Sequence, residues 1–196
     1  MTRVVADITM SLDGFVTGPN AGPGAGLGEE GMALHDWVFK GDAVDEGVLA
    51  TAMERSGAVV MGRNLFDVID APDGWSDNMG YGAHHVGRPP FFVVTHQRPA
   101  DVRLGLDFTF VSAGVSAAVD AARGTCPADK DVVIMGGANV IAQAVDLGLV
   151  DELVLHVSPV VMGGGTPLWA GVSRRQLRQA SVLVSPFATH ITFATT

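Results

Sequence analysis

Several short runs in this sequence are apolar at every successive position rather than at alternate ones. Ala58-Val59-Val60-Met61, Phe91-Phe92-Val93-Val94 and Val132-Val133-Ile134-Met135 are the clearest. A strand with one wet face alternates apolar and polar residues, because successive side chains point to opposite sides of the sheet. A run apolar on both sides needs cover above and below, which is the condition of strands in a helix-flanked parallel sheet. This pattern narrows the fold more than anything else in the chain.

Strands are expected at Arg3–Ser11, Ala58–Met61, Phe91–Thr95, Phe108–Ser112, Asp131–Met135, Glu152–Val161, Ser181–Ser185 and His190–Ala194. Helices fit between them. Asp42–Arg55 puts Val44, Val48, Leu49, Ala52 and Met53 on one face behind Asp42 as N-cap. Gly114–Arg123, Ala138–Leu147 and Met32–Lys40 have the same apolar spacing, the last with Leu34, Trp37 and Val38 inward. Strand and helix alternate through most of the chain, and two strands close it. The expectation is an α/β fold, a mostly parallel central sheet of about eight strands flanked by helices, with an antiparallel C-terminal hairpin. Neither a repeat nor a linker divides the chain, so residues 1–196 read as one domain.

The balance of 12 basic against 21 acidic residues, a net charge of -9, argues against nucleic acid as a partner. The 17% charged fraction is sparse for a globular chain and points to covered surface. A lone cysteine, Cys126, excludes an internal disulfide framework and a cysteine-based zinc site. Residues Leu153–Ser173 carry no Lys, Arg, Asp or Glu, yet Pro159, Pro167 and four glycines suit a strand and loop better than a membrane span. The N-terminus has Asp7 where a signal peptide would be apolar, so a cytoplasmic protein without membrane contact is expected. The histidines show no metal spacing: His84-His85 are loop neighbours, and His35, His96, His156 and His190 stand apart.

Three expected strand ends carry phosphate-friendly chemistry. Met135-Gly136-Gly137-Ala138-Asn139-Val140 runs from strand to helix through two glycines, where a ligand can approach backbone N–H groups and the positive end of a helix. The same glycines equally serve a tight turn. Met61-Gly62-Arg63-Asn64 adds a guanidinium to a second strand end, though an arginine there also suits a surface salt bridge. Thr95-His96-Gln97-Arg98 follows a third. Ligands of open α/β sheets bind outside the carboxyl ends of the strands, so the three together imply an anionic ligand at that edge. Asp7 and Thr9 lie inside the first strand, where a charge must be paired or face a wet pocket, or else sit at a solvated sheet edge. Trp37 and Trp75 fit an aromatic wall around a planar ligand or ordinary core packing. Two long loops, Thr17–Gly31 with six glycines and Ile69–Pro90, are long enough to be functional.

In order, Ser11-Leu12-Asp13-Gly14-Phe15, Met61-Gly62-Arg63-Asn64, Met135-Gly136-Gly137-Ala138, Val150-Asp151-Glu152-Leu153 and Ser158–Trp169 resemble the dihydrofolate reductase-like superfamily, in its RibD C-terminal branch. The resemblance implies an NADPH-dependent reductase, as a homodimer. It would place Ala6, Leu12, Asp13, Gly14, Phe15 and Thr166 at the nicotinamide. Gly62, Arg63 and Asn64 would hold the pyrophosphate and the 2′-phosphate side, Thr95, His96 and Arg98 would lie near the adenosine phosphate, and Gly136, Gly137, Ala138, Asn139 and Val140 would cradle the pyrophosphate. Asp7 and Asp36 are then the candidate catalytic acids, with Thr9, Trp37 and Trp75 facing substrate. Phe15 departs from the lysine frequent in riboflavin-pathway reductases, and no deaminase zinc motif is present. A hydride acceptor with a C=N or C=O group on a pterin-, aminouracil- or aminosugar-like molecule follows. The alternatives are a true dihydrofolate reductase and a non-catalytic ligand-binding protein on the same fold.

Overall fold

A computed structural model describes residues 2–76, 78–83 and 87–195. The strands are β1 (Val4–Met10), β2 (Ser56–Gly62), β3 (Phe91–Val94), β4 (Phe108–Val111), β5 (Asp131–Gly136), β6 (Glu152–Val157), β7 (Leu177–Val184) and β8 (Thr189–Thr195). The α-helices are α1 (Asp36–Phe39), α2 (Ala43–Arg55), α3 (Arg63–Ile69), α4 (Val115–Thr125) and α5 (Ala138–Asp146). They build one sheet in the order β4-β3-β2-β5-β1-β6-β8-β7. The first six are mutually parallel neighbours, and β8 runs antiparallel to both β6 and β7. The α/β architecture and closing hairpin agree with the sequence expectation.

The apolar runs are covered on both sides. One face packs Val4, Ala6, Val60, Ile134 and Leu153 against α4 and α5, whose Ala118, Val119, Ile141 and Ala144 are buried. The other face packs Val59, Met61, Phe91 and Val93 against Phe66 and Ile69 of α3. Arg3 and Arg55 both pair with the buried carboxylate of Asp131, which ties β1, β2 and β5 together at their amino ends.

Besides β7, which starts four residues before the expected Ser181, three segments differ from expectation. The Met32–Lys40 helix is a 3-10 turn over Gly31–His35 followed by the single α-turn of α1; Leu34 and Trp37 are buried, whereas Val38 is only half-buried. The strand expected to reach Val161 stops at Val157, two residues before Pro159, which has no N–H to donate to a ladder. In α2, Asp42 caps as expected and forms a capping box with Asp45. The apolar face of that helix is only half-buried, and its buried residue is Asp45.

Candidate functional site

The strand register aligns the three turns. Met61 lies opposite Gly136, and Gly62 lies opposite Val94, so Gly62, Thr95 and Gly136 sit side by side at the carboxyl edge. The Gly136–Gly137 peptide is cis, and Gly136 has φ +130°, a conformation that side chains other than glycine's rarely adopt. A methyl group on Gly62 would come 2.9 Å from Val140 Cγ2, so the bare glycine lets the first turn of α5 press against the end of β2. Ala138 and Val140 are buried and anchor that turn. The space beside Gly137 is open, and nothing lies within 4 Å of where its Cβ would be. The opening N–H groups of α5, which begins at Ala138, have no preceding turn to bond to. The exposed Asn139 side chain accepts from Gln143.

Arg63 opens α3 at this edge. Its Nε donates to Asp67 at 2.6 Å, and its Nη1 donates to the Gln97 carbonyl at 2.8 Å and approaches Thr95 Oγ1 at 3.4 Å. Thr95 is buried and donates to the same carbonyl at 2.7 Å. Asn64, His96 and Arg98 are exposed, and the Arg98 guanidinium lies 5.4 Å from the centre of the Phe110 ring. The second and third strand ends are thereby linked through Arg63.

Ser11–Phe15 after β1 is tied to the loop that follows β6. Asp13 accepts from the N–H groups of Met162 at 3.0 Å and Gly163 at 2.7 Å. The Ser11 hydroxyl and these amides pull its carboxyl down to about 2. Phe15 pairs with Pro167, and Thr17 and Thr166 bond through their hydroxyls at 2.9 Å. Leu12 stands exposed at 63% while its N–H bonds to Val160. Gly14, at φ +86°, makes the turn between them. Ala6 is fully buried in β1, opposite Ile134.

Asp7 heads a chain of buried hydrogen bonds. Its Oδ1 lies 3.0 Å from His156 Nε2, His156 Nδ1 lies 2.7 Å from His190 Nδ1, and His190 Nε2 lies 2.9 Å from Asp45 Oδ1. The side chains of His156, His190 and Asp45 are 2%, 4% and 0% exposed, whereas Asp7 is 24% exposed and forms the wet end. Trp37 covers the pair, its ring centroid 4.2 Å from that of His156 and 5.1 Å from that of His190. The Trp37 indole N–H donates to Thr9 Oγ1 at 3.0 Å. Burial, reinforced by His156, holds His190 below its ordinary value, although Asp45 opposes the shift. Burial alone would raise Asp45, but the Asp42 amide, Ser185 and His190 hold it below the usual value. His35, on the turn beside this group, is pushed down to about 4, first by burial and then by His156.

The structure thus brings Asp7, Thr9 and Trp37 together. It does not bring Asp36 into that chain: Asp36 pairs with Lys40 at 2.9 Å on α1. Trp75 packs edge-on against Phe91, 6.0 Å between centroids, in the cluster beneath α3, and its ring fills the space beside Gly80. His84 and His85 lie outside the described residues, and among the described residues no cluster suits a metal ion. Two open hollows lie elsewhere. One of about 760 Å³ runs beside Ser56, Tyr81 and Pro90 at the amino ends of β2 and β3, and one of about 360 Å³ lies between Pro19 and Met162. The residues that sequence reasoning missed are His156, His190 and Asp45. His156, a polar residue following the apolar run Leu153-Val154-Leu155, carried a local signal in its cost of burial, whereas His190 and Asp45 lie among other polar residues of β8 and α2 and carried none.

A model of the family described as the RibD C-terminal domain matches residues 2–191. An uncharacterized protein of Bacillus subtilis (strain 168), YyaP, is 24% identical over 179 residues, covering 88% of this chain and 83% of that protein. A Shewanella sp. PV-4 structure, provisionally described as a riboflavin biosynthesis protein, superposes with TM-score 0.71 at 23% identity, covering 100% of this chain and 99% of that one. A pyrimidine reductase-like protein from Corynebacterium diphtheriae gives TM-score 0.65 at 17% identity, covering 100% and 92%. The bifunctional deaminase/5-amino-6-(5-phosphoribosylamino)uracil reductase of Thermotoga maritima gives 0.63 at 14%, with this chain spanning 57% of it. Among the described residues no helix is long and apolar enough to cross a membrane.

Proposed function

Because this chain belongs to the RibD C-terminal domain family and has its dihydrofolate reductase-like fold, we propose that it is an NADPH-dependent reductase. It would transfer a hydride to a C=N or C=O group of a pterin-, aminouracil- or aminosugar-like molecule in the cytoplasm. The observation that carries this reading is the open backbone at Gly137 at the start of α5, on the same sheet edge where the Arg63 guanidinium links the next two strand ends.

These residues fit the dinucleotide. Gly136, Gly137, Ala138 and Asn139 would receive the pyrophosphate on backbone N–H groups, and Val140, whose own N–H bonds to the Gly137 carbonyl, would border it, with Gly62 keeping α5 close. Arg63, Asn64, Thr95, His96 and Arg98 would hold the adenosine phosphate, with the Arg63 fork suited to bidentate contact with phosphate oxygens. Ala6, Leu12, Asp13, Gly14, Phe15 and Thr166 would border the nicotinamide. In that arrangement Asp13 works through the loop it fixes, by gripping Met162 and Gly163. When bound, the nicotinamide supplies the hydride; the protein supplies orientation and protons.

Asp7 would meet the substrate at its half-exposed end, with Thr9 and Trp37 behind it. Asp36 and Trp75 are further candidates for contact with a larger substrate. A homodimer is part of the proposal. Edge strand β7 carries Val182, Leu183 and Val184 at 41%, 52% and 66% exposure, and an open apolar edge of that kind favours pairing with a second copy. The test is NADPH oxidation across dihydrofolate, pterin and aminouracil compounds, with Arg63→Ala alongside. Turnover with one of them, and a loss in Arg63→Ala larger for NADPH than for NADH, supports the reading. Tight NADPH binding without oxidation of any of them contradicts it.

A further inference from the structure

The chain from Asp7 to Asp45 has three gaps, and each gap needs one proton. At 2.7 Å the two Nδ1 atoms of His156 and His190 cannot both present lone pairs, so one ring must donate. Asp45 also accepts from the Asp42 amide and from the Ser185 hydroxyl, so it remains a carboxylate, and His190 Nε2 must carry a hydrogen toward it. A neutral imidazole has a single N–H. His190, if neutral, then presents a bare Nδ1, and His156 must donate from its own Nδ1. That leaves His156 Nε2 bare against Asp7, at 3.0 Å. Closing the last gap takes one proton more than two neutral imidazoles provide.

We propose that Asp7, His156, His190 and Asp45 share one mobile proton in a buried relay that delivers it at Asp7. The proton has three equivalent addresses in the hydrogen-bond count: the Asp7 carboxyl, a doubly protonated His156, or a doubly protonated His190. Moving it between them breaks and forms only N–H and O–H bonds along the chain, with a net charge of −1 throughout. Trp37 roofs both rings and keeps water off them, and a ring face over an imidazolium favours the charged form. The other titratable neighbours are His35, on the turn beside Trp37, which burial keeps neutral, and the Tyr81 phenol, which burial and then Asp7 hold protonated.

The inference rests on the reductase reading and deepens it by naming the proton route. At delivery the Asp7 O–H bond breaks and its electron pair stays on the carboxylate. The proton joins the nitrogen or oxygen of the reduced double bond. Solvent reloads Asp7, the 24% exposed end, once product has left. His156, His190 and Asp45 are positioning residues in this scheme, because they hold the proton but do not touch the substrate.

The test is a nuclear magnetic resonance count of protons in the full-length protein labelled with ¹³C and ¹⁵N. At neutral pH the wild-type gap is expected to hold a proton, seen as hydrogen on His156 Nε2 or as a protonated-carboxyl shift of Asp7 Cγ. In Asp7→Asn the amide NH₂ closes the gap itself. His156 should carry its hydrogen on Nδ1 and His190 on Nε2. An ionised Asp7 facing a bare His156 Nε2 overturns the relay. NADPH added to the same sample reads the cofactor separately. A sample that binds NADPH but has an empty gap refutes the relay alone. One with a filled gap that ignores NADPH refutes the reductase reading and leaves the proton count standing.

Discussion

Replacing Asp45 by Ala asks whether α2 is held to the sheet by a buried carboxylate rather than by its apolar face. Val44, Val48, Leu49, Ala52 and Met53 are all only half-buried, whereas Asp45 is wholly buried. Its Oδ1 accepts from His190 Nε2 and Ser185 Oγ, each at 2.9 Å, and its Oδ2 accepts from the Asp42 amide at 2.9 Å. Alanine strands the buried His190 donor, at about 1–3 kcal/mol, and leaves the half-buried Ser185 hydroxyl only the Ala188 carbonyl at 3.4 Å. Loss of the capping box adds about 1 kcal/mol. A total of about 2–4 kcal/mol, at a urea slope of about 2 kcal/mol per molar, moves the unfolding midpoint down by about 1–2 M. Asp45→Asn keeps an acceptor for His190 and Ser185 but turns an amide N–H against the Asp42 N–H, and should cost about 1–3 kcal/mol.

The assay is urea unfolding followed by circular dichroism, and its pH dependence has a definite sign. Burial pushes the Asp45 carboxyl up, but the Asp42 amide, Ser185 and His190 hold it below the ordinary 3.8. A depressed carboxyl contributes its full stabilisation above its unfolded value and loses it as pH falls through the folded one. Wild type and Asp45→Ala should therefore converge at the acid end of the titration. An alanine variant within about 1 kcal/mol of wild type at neutral pH would refute the reasoning, because so small a loss is that of an exposed side chain.

Three further outcomes are expected. His35 is held near about 4 against an ordinary 6.5 by burial and by His156. The unfolded chain therefore binds a proton that the native state refuses: stability is full above 6.5 and declines, by at most about 3 kcal/mol, as pH falls toward 4. His35→Leu should flatten that part of the curve, and an unchanged curve counts against the assignment. Gly62→Ala sets a methyl 2.9 Å from Val140 Cγ2 and should cost about 1–3 kcal/mol in thermal unfolding; Val140→Ala should relieve most of it, and a cost that persists in the double variant shows the strain lies elsewhere. Leu183→Glu with Val184→Glu, on the exposed edge of β7, should convert a dimer to monomer in analytical ultracentrifugation, and a dimer that survives places the interface on another surface.

The sheet was legible because burial on both faces leaves a mark in single residues: β2, β3 and β5 are apolar at nearly every position, and each was found within two residues of its ends. The glycine turns were legible for the same local reason. What escaped depends on partners far away in the chain. His156 and His190 are 34 residues apart, and only the antiparallel register of β6 on β8 sets them opposite each other. The burial of Asp45 could not be read locally, because the Ser185 and His190 that satisfy it lie 140 and 145 residues on. Leu177–Ala180 of β7 were missed because an edge strand needs no apolar pattern. Trp75 illustrates the converse: an aromatic in a long loop suits a ligand wall or a core equally, and its edge-on packing against Phe91 can be seen only in three dimensions.

The central claim is that the carboxyl edge at Gly62, Thr95 and Gly137 receives the phosphates of NADPH, and fluorescence titration of wild type and Gly137→Ala tests it most directly. The added methyl enters open space, with nothing within 4 Å beyond its own chain neighbours, at an ordinary φ of -76°, so circular dichroism should report an intact fold. Wild type should bind NADPH with a Kd on the order of micromolar, and the variant about tenfold or more weakly, a difference of about 1.4 kcal/mol. Equal affinity in the two folded proteins, or no binding to wild type, would contradict the account.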